Sequence, residues 1–291
     1  MAQDIELSSH FNISGAVRFD HFRFAHKNLL TGEPLFRNQA RSIISPKINI
    51  SFNPSAFVKI YFNNGIGFHS NDTRVILNNS AEDILPKVFS TDLGVILKPI
   101  KNLILKTALW HLFSEQEFVY VGDAGIIEPG GETRRMGIDV SVRYQFSEWL
   151  YGDVDVNYTK ARSVGVPKGE DYVPLAPSFT SIGCVTAKGK NGFSGSLRYR
   201  WITDRPANET NTIRADGYFI LDGIISYQWK RFEMMLSAEN ILNREWKEAQ
   251  FDTESKLKMK RIPFQRSIIR PVHLFILKGE SPSGSKQRTF L

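Results

Sequence analysis

An alternation of apolar and polar side chains runs along most of this chain, and no other feature restricts its fold as strongly. The clearest stretch is 135–146. Its even-numbered residues, from Met136 to Phe146, are apolar or aromatic, whereas its odd-numbered residues, from Arg135 to Gln145, are mostly polar or charged. Because successive side chains of a β-strand point to opposite faces, this stretch is predicted to be a strand with one apolar and one polar face.

The same period of two recurs along the chain, and helical spacing is not sustained anywhere. The further alternating stretches are 11–24, 45–52, 56–62, 88–98, 103–113, 150–158, 179–188, 193–201, 219–229 and 232–238. The sequence therefore predicts an all-β chain of about eleven long strands.

Short and long connections alternate between these strands. The tight turns are 53–55, 100–102, 147–148, 189–192 and 230–231, and the long polar connections are 25–40, 68–86, 114–132, 161–177 and 204–216. In an up-and-down antiparallel sheet this alternation places all short turns at one end and all long loops at the other. Bacterial outer-membrane β-barrels have this asymmetry.

A soluble β-sandwich or barrel would also alternate, but two features favour a membrane barrel. The strands have the roughly ten residues that a tilted membrane strand needs, about twice the globular average. Aromatic residues also cluster at strand ends on the apolar face, namely Tyr144, Phe146, Trp149, Tyr199, Trp201, Tyr227 and Trp229. We therefore expect an antiparallel transmembrane barrel portion whose apolar faces turn outward, toward lipid.

The formal net charge of +7 does not indicate nucleic-acid binding, because it is concentrated in one segment. From Met259 onward there are seven Lys and Arg residues against Glu280, a balance of +6, which leaves +7 − 6 = +1 for the rest. The single cysteine, Cys184, is interpreted as a small packed residue. No phosphate-binding loop, metal-ligand cluster or nucleophile elbow is present, so we expect neither an enzyme nor a cofactor.

One motif resembles a known family. The run Glu239, Asn240, Ile241, Leu242, Asn243, followed by Trp246, resembles the end of the penultimate strand of TonB-dependent receptors. Stretches 68–72, 117–123, 134–137, 173–177 and 204–209 also look like this family. The likeness extends over roughly 11–257.

This resemblance implies a barrel of about 22 strands that is plugged by an N-terminal domain and energised by TonB through a short N-terminal box. Its substrates would be scarce ligands such as ferric siderophores, haem, cobalamin or glycans. Neither plug nor TonB box can be located here, and the polar start shows no signal peptide. We therefore interpret 1–258 as the C-terminal half of such a barrel, in the bacterial outer membrane.

The resemblance also implies the partners. These are outer-membrane lipid and lipopolysaccharide, the ligand of the parent receptor, and TonB only through the missing N-terminal part. An incomplete barrel has unpaired edges, which are costly in hydrocarbon, so we expect no transport by this chain alone. The alternative is a non-transporting outer-membrane barrel that acts as a surface binding or adhesion protein.

Candidate ligand-binding residues lie in the long connections and on the polar face of the predicted strands. They are His69, Asn71, Asp72, Tyr120, Asp123, Arg198 and Arg200. Each also has a plainer interpretation, as a polar loop residue or, for the arginines, as a partner of carboxylates on neighbouring strands. Asn240 and Asn243 are most simply strand-end and turn residues.

The basic tail, 259–291, departs from the pattern, and we predict that it is the product of a shifted reading frame. The alternation stops, the charge rises, and the family's terminal aromatic strand is replaced by a polar stretch before Phe290 and Leu291. Codon degeneracy permits a shifted frame from Lys258 to read NEKNSFSEKHYTPGTPFYFKGRVSLRF, followed by a stop. This peptide resembles a family C-terminus.

The nucleotide sequence of the gene tests this prediction. The expected result is that peptide, or a close variant with a final alternating strand and a last Phe, in the shifted frame. A different peptide there, or an early stop codon, would contradict it. We also expect the tail to be irregular or poorly docked.

Overall fold

The computed structural model describes residues 2–24, 39–69, 85–116, 118–121, 126–247, 250 and 273–278. Within these ranges every regular element is a β-strand. No membrane-spanning helix is found among the described residues.

The strands are long, as the alternation predicts. They are β1 (Ala2–Ser8), β2 (Phe11–Phe24), β3 (Gln39–Ser55), β4 (Val58–Phe68), β5 (Lys87–Leu97), β6 (Leu103–Ser114), β7 (Phe118–Val121), β8 (Ile126–Pro129), β9 (Thr133–Gln145), β10 (Leu150–Ser163), β11 (Phe179–Lys188), β12 (Phe193–Ile202), β13 (Arg205–Pro206), β14 (Arg214–Ala215), β15 (Tyr218–Trp229), β16 (Phe232–Ala238) and β17 (His273–Lys278).

Thirteen of these strands form one sheet, and each pairs antiparallel with its neighbours in chain order. The other four form two small hairpins, β7–β8 and β13–β14, inside long connections. Among the described residues, β1 pairs only with β2 and β17 only with β16, so the sheet is open. The architecture is thus the predicted up-and-down wall of an incomplete barrel.

The connections confirm the predicted asymmetry. Short turns join the strands at 9–10, 56–57, 98–102, 146–149, 189–192 and 230–231. At the opposite end, the connections are 25–38, 69–86, 115–132, 164–178, 203–217 and 239–272. The sheet therefore has a short-turn end and a long-loop end.

The register sorts side chains into two faces, because residues directly opposite each other in an antiparallel pair share a face. Val142 lies opposite Val154 on β10 and Leu105 on β6, whereas Asp155 lies opposite Ser141. One face is therefore apolar and exposed, and the other is polar. Polar-face residues from seven neighbouring strands line one shared cavity, so the polar face is the concave one. The prediction of outward apolar faces is confirmed.

Aromatic side chains form pairs near both ends of the apolar face. At the short-turn end, ring centroids lie 4.6 Å apart for Tyr144 and Phe146 and 4.3 Å apart for Phe193 and Tyr227. At the long-loop end, Phe179 and Trp201 lie 5.0 Å apart in an edge-on arrangement. This distribution is that of the two aromatic girdles of a membrane barrel.

The eleven predicted strands correspond to β2–β6, β9–β12, β15 and β16, and the thirteen-stranded sheet contains two further, short strands. The additional strands are β1, which is too short for a convincing alternation, and β17, which lies in the tail that was expected to be irregular. β17 pairs with β16 from His273 to Lys278, so the expectation does not hold for these six residues. The predicted turn at 53–55 also belongs to β3, and the chain turns at 56–57 instead.

The orientation of the two faces predicts opposite effects of one substitution at neighbouring positions. Val185 lies on the apolar face opposite Leu197, and Thr186 lies on the polar face opposite Ser196. A cation on the lipid-facing side near the mid-plane costs about 2–4 kcal/mol, whereas the polar side tolerates it. We expect Val185→Lys to lower the free energy of unfolding in lipid vesicles by roughly this amount, as measured by urea titration.

Thr186→Lys is the matched control, because it adds the same side chain one residue away. Equal destabilisation by the two variants would contradict the assignment of the faces.

Candidate functional site

The concave face carries a polar cavity of about 910 Å³. We call this surface the concave wall. Its polar and aromatic lining residues are Asp4, Glu6, Asn12, Ser14, Asn49, Ser51, Lys59, Tyr61, Asn63, Asp92, Trp110 and Asp139. Four of these carry carboxylates and one carries an ammonium group, so the lining is rich in hydrogen-bonding groups and net acidic.

Two aromatic rings of the concave wall lie close to glycines of the neighbouring strand. Tyr61 is opposite Gly94, and Trp110 is opposite Gly137. A Cβ atom at Gly94 would lie 2.3 Å from Cζ of Tyr61, and one at Gly137 would lie 2.6 Å from Cζ2 of Trp110. Glycine at both positions thus leaves room for these rings where they lie.

A hydrogen-bond network centred on Asp139 joins three strands. The indole Nε1–H of Trp110 on β6 donates to Oδ1 of Asp139 at 3.1 Å, and the amide of Asn157 on β10 donates to the same oxygen. Thr159 Oγ1 donates to Oδ1 of Asn157 at 2.6 Å. Since each group restrains the next, this network fixes the orientation of polar atoms on the concave wall.

A second polar contact on the wall is bidentate. The guanidinium of Arg143 on β9 donates from both terminal nitrogens to the carboxylate of Asp155 on β10, at 3.1 and 2.9 Å. Both side chains are almost half exposed, at 44% and 47%. Water therefore screens the pair, which contributes at most about 1 kcal/mol to stability. Its main effect is to hold two charges at a defined place on the wall.

The predicted arginines of β12 lie on the concave wall. Arg200 approaches the carboxylate of Asp222 on β15 at 3.9 Å, and its guanidinium lies 5.6 Å from the ring centroid of Trp246. Arg198 lies between Cys184 and Asp222 in the register and forms no ion pair within the described part of the chain. Arg200 thus has the carboxylate partner on a neighbouring strand that the plainer interpretation anticipates.

Of the other predicted ligand residues, the structure describes His69 and the backbone of Tyr120. His69 directly follows β4, and its backbone N–H donates to the carbonyl of Pro86 at 3.2 Å. Tyr120 lies in β7. Asn71, Asp72 and Asp123 lie outside the described residues.

The motif at 239–243 ends β16 and folds against the long-loop half of β15. Asn240 and Asn243 have φ values of 51° and 47°, as expected for turn residues. The Asn240 backbone N–H donates to Oδ1 of Asp222 at 2.8 Å, and its side chain bonds both the N–H and the C=O of Arg244. Asn240 therefore closes the turn that leads to Trp246.

A feature that the sequence did not reveal is the junction of two long connections. The backbone N–H of Tyr172 donates to the carbonyl of Glu209 at 3.1 Å, and that of Leu175 donates to the carbonyl of Pro206 at 2.7 Å. Arg162 reinforces the first connection through an ion pair with Asp171 at 3.4 Å. Connections 164–178 and 203–217 thus form one bonded unit at the long-loop end.

The described residues contain no group of three or more His, Cys, Asp or Glu side chains that could hold a metal ion. The site therefore consists of the concave wall, whose polar groups are held in fixed orientations, and of connections 164–178 and 203–217, which are joined by hydrogen bonds. Such a surface can bind a large polar ligand or a protein domain by many hydrogen bonds.

The sequence matches a family model described as TonB dependent receptor-like, beta-barrel, over residues 1–243. No curated protein matches the chain in sequence.

Solved structures share its fold at low identity. The ferric yersiniabactin uptake receptor FyuA from Yersinia pestis has a TM-score of 0.69 and 15% identity, over 87% of this chain and 41% of that one. The ferric citrate transporter FecA has a TM-score of 0.67 and 16% identity, over 84% and 40%. The copper transporter OprC has a TM-score of 0.67 and 14% identity, over 89% and 44%. The chain thus spans about two fifths of the length of these structures.

The geometry at Asn240 predicts a graded response to substitution. Asn240→Ala removes the bonds to Arg244 and places a Cβ-bearing residue without compensation at positive φ, whereas Asn240→Gly removes only the bonds. We expect losses of roughly 2–3 kcal/mol for Ala and 1–2 kcal/mol for Gly in the free energy of local opening.

Hydrogen exchange at the backbone amides of Ile241 and Arg244, measured in detergent, reports this opening. If the Gly variant protected these amides as well as Asn240 does, the side-chain bonds would contribute nothing.

Proposed function

This chain belongs to the TonB-dependent receptor-like β-barrel family, and we propose that it forms the C-terminal part of the wall of an outer-membrane uptake receptor. Barrels of this family are outer-membrane proteins. The observation that carries the proposal is the family match over 1–243, combined with a concave polar wall and an apolar convex face.

The proposed cargo is a scarce ligand, such as a siderophore-bound metal. The names of the structural neighbours support this class, because they include receptors for ferric yersiniabactin and ferric citrate and a copper transporter. The acidic, amide-rich concave wall would face the receptor's lumen. Its oriented groups around Asp139 suit contact with the plug domain or with a passing polar ligand.

We place the ligand contacts of the complete receptor in the long connections, especially 114–132 and 161–177, and at Arg198 and Arg200. Loops on a rigid wall commonly carry recognition. The hydrogen bonds from Tyr172 and Leu175 to connection 203–217 support this placement, because they hold that part of the rim in one arrangement. His69, Asn71, Asp72, Tyr120 and Asp123 complete the proposed set of contacts.

TonB would act only through an N-terminal part outside this chain. The open sheet supports the inference that the chain does not transport alone, since two strand edges would face hydrocarbon without backbone partners. A surface binding or adhesion barrel is the second candidate. In-frame upstream DNA that encodes a plug and a TonB box would favour the receptor over the adhesion protein.

Energy-dependent uptake tests the proposal. We expect this chain, exported to the outer membrane of a strain without the parent receptor, to leave uptake of labelled ferric siderophore at background. Joined to the plug and the first barrel strands encoded upstream, it is expected to restore uptake to well above background.

A strain without TonB is the matched control, and uptake there should fall back to background. TonB-dependent uptake by the chain alone would contradict the fragment interpretation. In the restored receptor, deletion of 115–131 or 164–176 should weaken ligand binding, and unchanged binding would refute the assignment of contacts to these loops.

A further inference from the structure

Two carboxylates and two aromatic rings surround one part of the cavity in the concave wall. Asp92 on β5 lies opposite Trp110 on β6. In the adjacent row of paired residues, toward the short-turn end, Asp139 on β9 lies opposite Ala108 on β6, and Tyr61 borders the same row from β4. All five residues line the cavity, and the short side chain of Ala108 leaves room between the others. We call Tyr61, Asp92, Trp110 and Asp139 the Trp110 cleft.

Asp92 is a half-buried carboxylate that lacks a cationic partner. It forms no hydrogen bond or ion pair within the described part of the chain, and the residues opposite it, Asn63 and Trp110, are uncharged. Lys59, the cation among the cavity-lining residues, lies opposite Ile96, about 13 Å farther along β5. Partial removal of a charge from water is costly unless an opposite charge compensates it. Asp92 therefore favours a cation that the described chain does not supply.

Asp139 supplies a second negative charge, which is held in a fixed orientation. The hydrogen bonds from Trp110 and Asn157 both end on its Oδ1 atom. Its Oδ2 atom accepts no hydrogen bond from any residue that the structure describes, and the side chain is exposed in the cavity. Since both bonds to Asp139 come from neutral groups, its charge is also left without a cation.

The register fixes the separation of the two carboxylates. Their strands are separated by β6, and their rows are adjacent. With about 4.8 Å between strands and about 3.3 Å per residue, the Cα atoms of Asp92 and Asp139 are roughly 12 Å apart. A single ammonium group cannot contact both carboxylates across this distance. Two ammonium groups joined by a chain of roughly four to six carbons can, with each nitrogen at about 2.8 Å from one carboxylate.

We propose that the Trp110 cleft binds a small ligand with two ammonium groups, one at Asp92 and the other at Asp139. The carbon chain between them packs on Trp110 and Tyr61, because aromatic rings attract both ammonium groups and the methylenes beside them. A small diamine fits better than a side chain of another domain, since one Lys or Arg offers a single charge to two separated carboxylates. This inference rests on the proposed function, because it names a chemical class of ligand for the lumen-facing wall.

The test uses the full chain refolded in dodecyl maltoside, whose head group is uncharged, with cadaverine as the probe and isothermal titration calorimetry as the measurement. Asp92→Asn and Asp139→Asn keep the size of the side chain and one hydrogen-bond acceptor. Each is expected to weaken binding about fivefold, because each removes one partly screened ion pair. Asp153→Asn is the matched control, since it removes the same charge from the concave face outside the cavity lining and should bind as the unaltered chain does.

Two further arms identify the chemistry. Pentylamine, which has one ammonium group, should bind about fivefold more weakly than cadaverine, and the uncharged diol of the same length should not bind. Lys59→Gln should tighten the binding of cadaverine, because it removes a cation from the cavity lining. A purely structural role of the carboxylates predicts no such gain. Equal affinity for cadaverine and the diol, or unchanged affinity in Asp92→Asn, would overturn the proposal.

The same titration on the complete receptor, joined to its upstream part, separates this inference from its alternatives. Cadaverine that binds the chain but not the complete receptor would show that a cation of the plug fills the cleft, and it would overturn the assignment to a ligand. TonB-dependent uptake without any binding of cadaverine would refute the diamine site alone. Binding that persists in a complete receptor without uptake would refute the proposed function and leave the site intact. Circular dichroism confirms the β-structure of each variant.

Discussion

Backbone pairing between adjacent strands is the constraint on which the rest of this structure depends. In hydrocarbon no water replaces a lost backbone hydrogen bond, so each membrane-spanning strand needs a paired neighbour on both sides. From β2 to β16 every sheet strand has two such neighbours. β1 and β17 each have one among the described residues, so they are the two edges of the described sheet. The same pairing sets the curvature of the wall and brings the polar residues of seven strands to one cavity.

Much of the fold could be predicted because the period of two identifies both the element type and the face of each side chain, and the alternation of short and long connections indicates antiparallel order. The rule applies best to long strands such as β9, where Val140 and Ser141 are assigned to opposite faces by sequence and by register. It fails for β1, whose seven residues give too few alternations. It also does not reach the connections, because the bond from Tyr172 to Glu209 joins two backbones and leaves no side-chain pattern to read.

The sequence predicts which residues of the candidate site lie on the polar face, but not which of them contact one another. The alternation of apolar and polar side chains identifies Asp139, Asn157 and Arg200 as residues of the polar face. It does not say which of them meet, because a shift of register by two residues keeps every face and changes every partner. The Trp110–Asp139–Asn157 network therefore emerged only from the structure. The turn at Asn240 was predictable, since asparagine at a strand end commonly adopts positive φ.

Strand β17 in the tail shows that backbone pairing and the formation of two distinct faces have different sequence requirements. β17 pairs with β16 in register from Ser237 opposite His273 to Phe232 opposite Lys278. In this register Phe275 lies opposite Met235 and Leu277 lies opposite Glu233. Pairing needs only N–H and C=O groups, which nearly any sequence supplies, whereas two distinct faces need a period of two. Backbone pairing at β17 is thus compatible with either reading frame, and the prediction of a shifted frame rests on the sequence pattern alone.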